Sequence, residues 1–230
     1  TETLEELVNA AVRLAYQHPR NRLRASVVAD PAGSRVNTKD NTPAVTHVRM
    51  VSGSHVKVRV MAKGGGSENK ARMAILNPSD SVTDWVVETV ANLGSGWCPP
   101  GIIGVGIGGT PEKAVIMAKE SLLEHVDMPE ILKNGPQNAT EERRKELFER
   151  INGLGIGAQG LGGRTTVVDV KILEYPTHAA SLPVAIVPGC AATRHIEFEL
   201  DGSGVATFIE PPLTEWPDIS AAAPEDSIKV

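Results

Sequence analysis

Aromatic residues are scarce in this 230-residue chain: Phe, Tyr and Trp together make up 3% of it. Its core must then pack through Val, Ile, Leu and Ala. Positive charge is short as well. Lys and Arg number 23 against 28 Asp and Glu, the formal net charge is −5, and no basic stripe forms. Nucleic acid is therefore not an expected partner. No apolar run reaches the ~18 residues of a membrane span, so no membrane association is expected. Only two cysteines are present, and the first residues, Thr1-Glu2-Thr3-Leu4-Glu5-Glu6, are acidic and amphipathic, unlike a signal peptide. Both features point to a reducing, cytoplasmic setting.

What the chain has in quantity is glycine (22) and proline (16), within an otherwise ordinary soluble composition of 41% hydrophobic and 22% charged residues. Tight turns follow, and tight turns let backbone amides approach a ligand closely. The length allows one large domain or two small ones.

Leu4, Leu7, Val8, Ala11, Val12 and Ala15 recur at helical spacing and predict a helix over residues 3–17, ended by His18-Pro19. Residues 20–43 read as an ordered loop too long for a simple connector. Residues 44–51 and 55–62 alternate around Ser52-Gly53-Ser54 and predict a hairpin, with His47 and His55 on its surface. A helix is expected over 82–93, capped by Asp80 or Ser81 and stopped by Gly94. A short apolar strand is expected over 101–107. Thr110-Pro111-Glu112 starts a helix that runs to about Glu124, and Thr140-Glu141-Glu142 opens another to about Ile151. Strands are expected over 165–172, 183–188, 194–200 and 205–209, an irregular stretch from Pro211, and a tail from Ser220. Helices and strands interleave without a strict βαβ repeat. The predicted fold is mixed α/β (α+β) with one main domain.

Several motifs bear on chemistry. The dinucleotide pattern G-x-G-x-x-G occurs twice, at Gly104, Gly106, Gly109 and at Gly155, Gly157, Gly160. Both matches are weak in so glycine-rich a chain, and the second follows a charged helix, the wrong context. Lys63-Gly64-Gly65-Gly66-Ser67-Glu68-Asn69-Lys70 follows a strand but lacks the GK[ST] ending of a P-loop. Its amides can still form an anion-binding nest, and ordering three consecutive glycines costs enough entropy to favour that reading over a flexible loop.

Cys98 and Cys190 each stand at a turn, in Gly96-Trp97-Cys98-Pro99-Pro100 and Pro188-Gly189-Cys190-Ala191. Compartment disfavours a disulfide, and no clustered C-x₂-C suggests zinc. An iron–sulfur cluster accepts thiolates from distant loops. On chemistry alone, plain buried thiols rank first and cluster ligands second. His178 precedes the strand that leads to Cys190, and His195 follows it. A lone histidine is structural more often than catalytic, but nearness to a possible cluster ligand raises His178.

Long segments resemble the alpha part of the class I iron–sulfur fumarate hydratases and the L-tartrate dehydratases. They are Leu23 to Pro31, Asp40-Asn41-Thr42-Pro43-Ala44, Lys63 to Lys70, Cys98-Pro99-Pro100 into Gly104 to Thr110, Leu154 to Gly163, and His178 to Arg194. They keep the family's order and cover the chain to about Ile219. The resemblance implies a [4Fe–4S] cluster held by three cysteines, its fourth iron open to substrate. Cys98 matches the second family cysteine and Cys190 the third. The first belongs to an upstream segment with a Cys-Gln-Asp motif that is not among these residues. It also implies that Arg24 contacts a substrate carboxylate, that Gly65 and Gly66 belong to an amide loop at the substrate, and that His178 touches the substrate. The remaining catalytic groups, including the base, are implied in a swivelling domain or beta subunit, with a dimer of catalytic units. Residues 1–219 then form an N-terminally incomplete hydro-lyase alpha domain, and 220–230 a tail. The implied activity is reversible hydration of fumarate to L-malate at an oxygen-sensitive site. Dehydration of L-tartrate to oxaloacetate is the runner-up, and a non-catalytic anion-binding subunit is the alternative of another class.

Overall fold

The structure is a computed structural model that describes residues 2–209. It divides into two compact units, Thr1–Ser54 and His55–Val230. The predicted boundary at residue 219 and the tail lie outside the described residues.

The first unit opens with α1, Leu4–Gln17, where Thr3 and Glu6 form a reciprocal capping box. The remainder carries no regular element except one antiparallel bridge, Val28 to Asn37. Polar ties hold it. Arg13 pairs with Asp40 at 2.9 Å, Asn9 Oδ1 accepts from Ala44 N at 2.8 Å, and Asn41 Oδ1 accepts from Ser26 N at 2.8 Å. Among its described residues only Thr42 is buried, while Leu4, Leu7, Leu14, Val45 and Met50 are exposed.

In the second unit, β1 (Val56–Ala62), β6 (Arg194–Leu200) and β7 (Ala206–Ile209) form an antiparallel sheet in the order β1-β6-β7. This corrects the predicted hairpin. Residues 44–51 form no strand, and the partner of β1 lies far along the chain. The alternation of β1 is answered by that of β6: Lys57 and Arg59 both pair with Glu197, and the valines face apolar residues of the same register.

The second sheet has the order β2-β5-β3-β4, from β2 (Arg72–Leu76), β3 (Gly101–Gly108), β4 (Val167–Tyr175) and β5 (Leu182–Cys190). β3 and β4 are parallel, and β5 is antiparallel to both of its neighbours. Helices cover both faces. On one, α3 (Val82–Leu93) and α6 (Ala139–Gly153) pack Val86, Val90, Leu147 and Ile151 onto Ile103, Val105 and Ile186. On the other, α4 (Pro111–Glu120) sets Ala114 and Ala118 against Ala185 and Val187. The glycines of the first G-x-G-x-x-G match have a packing role here. A Cβ on Gly104 would lie 2.1 Å from Ala118 O, and one on Gly106 2.0 Å from Ala114 O. Their missing side chains let α4 touch the strand. The predicted helix to Glu124 stops at Glu120 and passes into a 3-10 turn, Ser121–Leu123. β2, which is short and half exposed, and α5 (Met128–Asn134) were not anticipated.

A buried charge cluster ties α5 and α6 to β4. Asp169, fully buried, accepts from the amides of Asp127 (3.0 Å) and Met128 (3.3 Å) at the start of α5, from Arg144 (3.1 Å) and from Lys171 (3.0 Å). Arg144 and Lys171 also grip Asp127. Asp127, Arg144 and Lys171 line an open cleft of about 410 Å³ but spend their hydrogen bonds on one another, on Asp169 and on the carbonyls of Val170 and His125. Burial works against ionisation of Asp127, yet Arg144 and Lys171 bring its pKa from 3.8 down to about 2. A depressed carboxylate stabilises the fold above its unfolded pKa and loses that contribution as pH falls toward the folded value. Urea midpoints measured between about pH 5 and pH 2 should therefore fall more steeply in the wild type than in Asp127→Asn. Parallel slopes would contradict this role.

Candidate functional site

One end of the β3–β5 ladder gathers the glycine motif and both cysteines. The antiparallel register sets Gly101 opposite Cys190, and Cys98 stands three residues before Gly101. The approach is close. A Cβ on Gly101 would lie 2.1 Å from Gly189 O, 2.9 Å from the Trp97 ring and 3.1 Å from Cys190 Cα, so only glycine fits.

Trp97 is fully buried in the core and fixes the turn from below. Cys98 itself is exposed, donates its amide to Ser95 O (2.9 Å), and sits at φ +59°. That left-handed conformation costs a non-glycine residue on the order of 1–3 kcal/mol and persists only where surroundings impose it. The second glycine loop imposes it from above. Gln159 donates its amide to Pro99 O at 2.7 Å, and Gly160 fits directly against Ser95.

The motif that reads as a loop in the sequence contains a helical turn, α2 (Gly65–Glu68). It spans the two cysteine segments. A Cβ on Gly64 would lie 3.7 Å from Cys190 Sγ, and one on Gly66 would come within 3.1 Å of Gly96 O. Ser67, almost fully buried, donates to Gly64 O (3.1 Å) and accepts from Lys63 Nζ (3.0 Å). Glu68 pairs with Lys63 at 3.0 Å and with Lys119 of α4. Burial pushes the Lys63 ammonium pKa down, against the pull of Glu68.

Cys190 is half-buried, with Thr193 Oγ1 3.9 Å from its sulfur. Burial pushes its thiol pKa up, but the Ala192 amide, the Thr193 hydroxyl and amide and the Ser67 hydroxyl outweigh it and leave the thiol below its ordinary value. This end of the sheet thus offers two thiols, one prone to ionise, beside glycine amides. No group of three or more His, Cys, Asp and Glu residues able to hold a metal occurs among the described residues. The donor types present, two thiols, are those an iron–sulfur group takes, and Trp97 Nε1 is buried without an acceptor.

Of the other predicted residues, one belongs to the same unit as the thiols. His178 is exposed at the opposite end of the sheet. Gly108 pairs there with Tyr175, and Thr177 Oγ1 bonds Gly109 O at 2.9 Å. Seven residues of β3 separate the ends, about 23 Å at ~3.3 Å per residue. Its ring is oriented: Nδ1 accepts from Ala180 N at 3.1 Å, which leaves Nε2 as the N–H of the neutral ring. Arg24 is exposed and belongs to the first unit. Lys63, Ser67, Thr193 and Gln159 are the site's unanticipated residues. Only Lys63 and Ser67 carried a signal, since they bracket the glycine triplet. In the metal-free protein, the pH midpoint for alkylation of Cys190 should fall below that of an ordinary thiol, about 8.5, and rise in Ser67→Ala. A wild-type midpoint at or above that value would contradict the assignment.

Comparison with known proteins adds independent findings. A family model described as Fumarate hydratase (Fumerase) matches residues 1–199. A Methanocaldococcus jannaschii protein named as an L(+)-tartrate dehydratase subunit alpha is 42% identical over 145 residues, covering 60% of this chain and 48% of that protein. The L(+)-tartrate dehydratase subunit alpha of Escherichia coli (strain UTI89 / UPEC) is 30% identical over 83% of this chain and 62% of its own length. The anaerobic class I fumarate hydratase of Escherichia coli (strain K12) is 31% identical over 87% of this chain and 38% of its own length. The chain thus spans roughly half the length of these relatives.

Proposed function

The chain belongs to the fumarate hydratase (Fumerase) family, and from that premise we propose that it is the iron–sulfur-holding part of a hydro-lyase acting on a small dicarboxylate. One observation carries the reading: the Gly64–Glu68 turn lies against Cys190 Sγ through Gly64 and against Gly96, two residues before Cys98, through Gly66. Cys98 and Cys190 would hold two corners of a [4Fe–4S] cluster. The third thiolate is not in this sequence. When bound, iron with a free coordination site supplies Lewis-acid polarisation of a substrate C–OH oxygen.

The chain's own residues do the rest of what this part can do. The first-turn amides of α2, at Gly65 and Gly66, lack intrahelical partners by helix geometry and can hold charge that builds on a carboxylate during C–H deprotonation. The Arg24 guanidinium is suited to clamp a carboxylate bidentately. His178 Nε2–H is free to donate to a substrate oxygen. Because His178 stands at the far end of the sheet from the thiols, a substrate touching both would take its histidine from a second copy. The general base belongs to a beta subunit or a further domain, in keeping with relatives named as alpha subunits. Thiolate-held iron that is open to substrate also needs a reducing compartment, which agrees with a cytoplasmic setting. Among the described residues no helix is long and apolar enough to cross a membrane.

Hydration of fumarate is the first reading of the reaction. Dehydration of L-tartrate is the second, favoured by the 42% identity to a protein of that name. The test uses the full enzyme with its partner, reconstituted anaerobically with iron and sulfide and assayed on both substrates. One of the two should turn over. Cys190→Ala and His178→Asn, each inactive alone, should regain about a quarter of wild-type activity when mixed as an isologous dimer. Turnover of neither substrate by the wild type would remove the hydro-lyase reading, and failure of the mixture would remove the shared histidine.

A further inference from the structure

We infer that Lys63 is a positioning residue that folds the Gly64–Glu68 turn onto Cys190 and thereby aims the glycine amides at whatever the site binds. Its side chain is 7% exposed, unusual for a lysine. From that buried position its ammonium reaches forward into its own turn, to Ser67 Oγ at 3.0 Å and to Glu68 Oε2 at 3.0 Å. These are the two polar side chains of α2. Ser67 passes the constraint to the backbone through its bond to Gly64 O, and Gly64 is the residue that lies against Cys190 Sγ. Glu68 passes it to the sheet through Lys119 of α4. Lysine therefore connects, within six residues, the turn, the thiol and the helix behind them.

The turn needs such a device. Gly64-Gly65-Gly66 has no side chain to pack, and each glycine gives up more backbone entropy on ordering than any other residue. Four backbone bonds close the turn, from the amides of Glu68, Asn69, Lys70 and Ala71, and none fixes its tilt toward Cys190. The Lys63 ammonium joins the two polar side chains of the turn, and these in turn reach Gly64 O and Lys119. An apolar residue would fill the space equally well, but it would leave Ser67 held by Gly64 O alone and Glu68 by Lys119 alone.

A merely stabilising ion pair and a positioning device differ in one respect. Replacing both partners of a buried pair by apolar residues commonly restores stability, whereas removing one leaves its partner short of counter-charge, here Glu68 with Lys119 alone. The geometry of the turn returns only if the pair has no positioning role. The experiment compares wild type, Lys63→Met and Lys63→Met/Glu68→Met in the full enzyme. Thermal midpoints should drop in the single variant and recover in the double. Hydrogen exchange of residues 64–70 should be at least about tenfold faster in both variants, with β3 and β5 unchanged. The inference rests on the proposed function only for its kinetic arm, in which KM for the dicarboxylate should rise about tenfold in both variants with kcat less affected. A double variant that regains wild-type exchange together with stability overturns it. If the wild type turns over no dicarboxylate, the functional reading fails, and the exchange comparison alone decides the role of Lys63.

Discussion

The antiparallel register that pairs Gly101 with Cys190 is the constraint on which the candidate site depends. It brings two cysteines, distant in sequence, to one end of a sheet, and it does so at glycines where neighbouring backbones nearly touch. Shifting β5 by one residue would exchange its two faces and separate Cys190 from the Cys98 turn. The buried residues on both faces make such a slip costly. Val184 and Ile186 sit in one hydrophobic cluster, Ala185 and Val187 in the other, and all four are almost entirely buried.

Around that fixed ladder the site is assembled from strained or entropically expensive pieces: a left-handed cysteine, a glycine triplet and a second glycine loop resting on Pro99. Such pieces persist only when the surroundings over-determine them. Here the surroundings are specific. Trp97 anchors the Cys98 turn in the core, Gln159 holds it from above, and the Lys63, Glu68 and Lys119 charges hold the glycine turn. The other buried charge cluster, around Asp169 of β4, stands across β3 from Gly189, and its members are saturated by one another and by the start of α5. It fixes the helical layer and offers a ligand little.

Much of this was legible in the residues. Helix starts at Ser81 and Thr110 and the helix over 82–93 were written in capping residues and in a proline at the first helical position. The α+β class followed from interleaved periodicities. Long-range pairing was not legible. Residues 44–51 and β1 looked like hairpin arms because alternation and a turn signal are local, whereas the choice of β6 depends on Glu197 meeting Lys57 and Arg59 across the sheet. The use of the glycines of the dinucleotide-like pattern in seating α4 appears only when helix and strand are seen together. At the site, cysteine and glycine positions were readable. The strain at Cys98 and the separation of His178 were not, since both arise from how strands run rather than from which residues they contain.

Cys98 and Cys190 are proposed to serve one iron–sulfur group at this end of the sheet. The most direct measurement is the iron and sulfide bound by the anaerobically reconstituted full enzyme when each cysteine is separately replaced by alanine, with folding checked by thermal midpoint. The account predicts that either replacement, in a folded protein, strips most of the bound iron and the visible absorption with it. A folded variant that keeps the full iron content and spectrum without one of these thiols would contradict it.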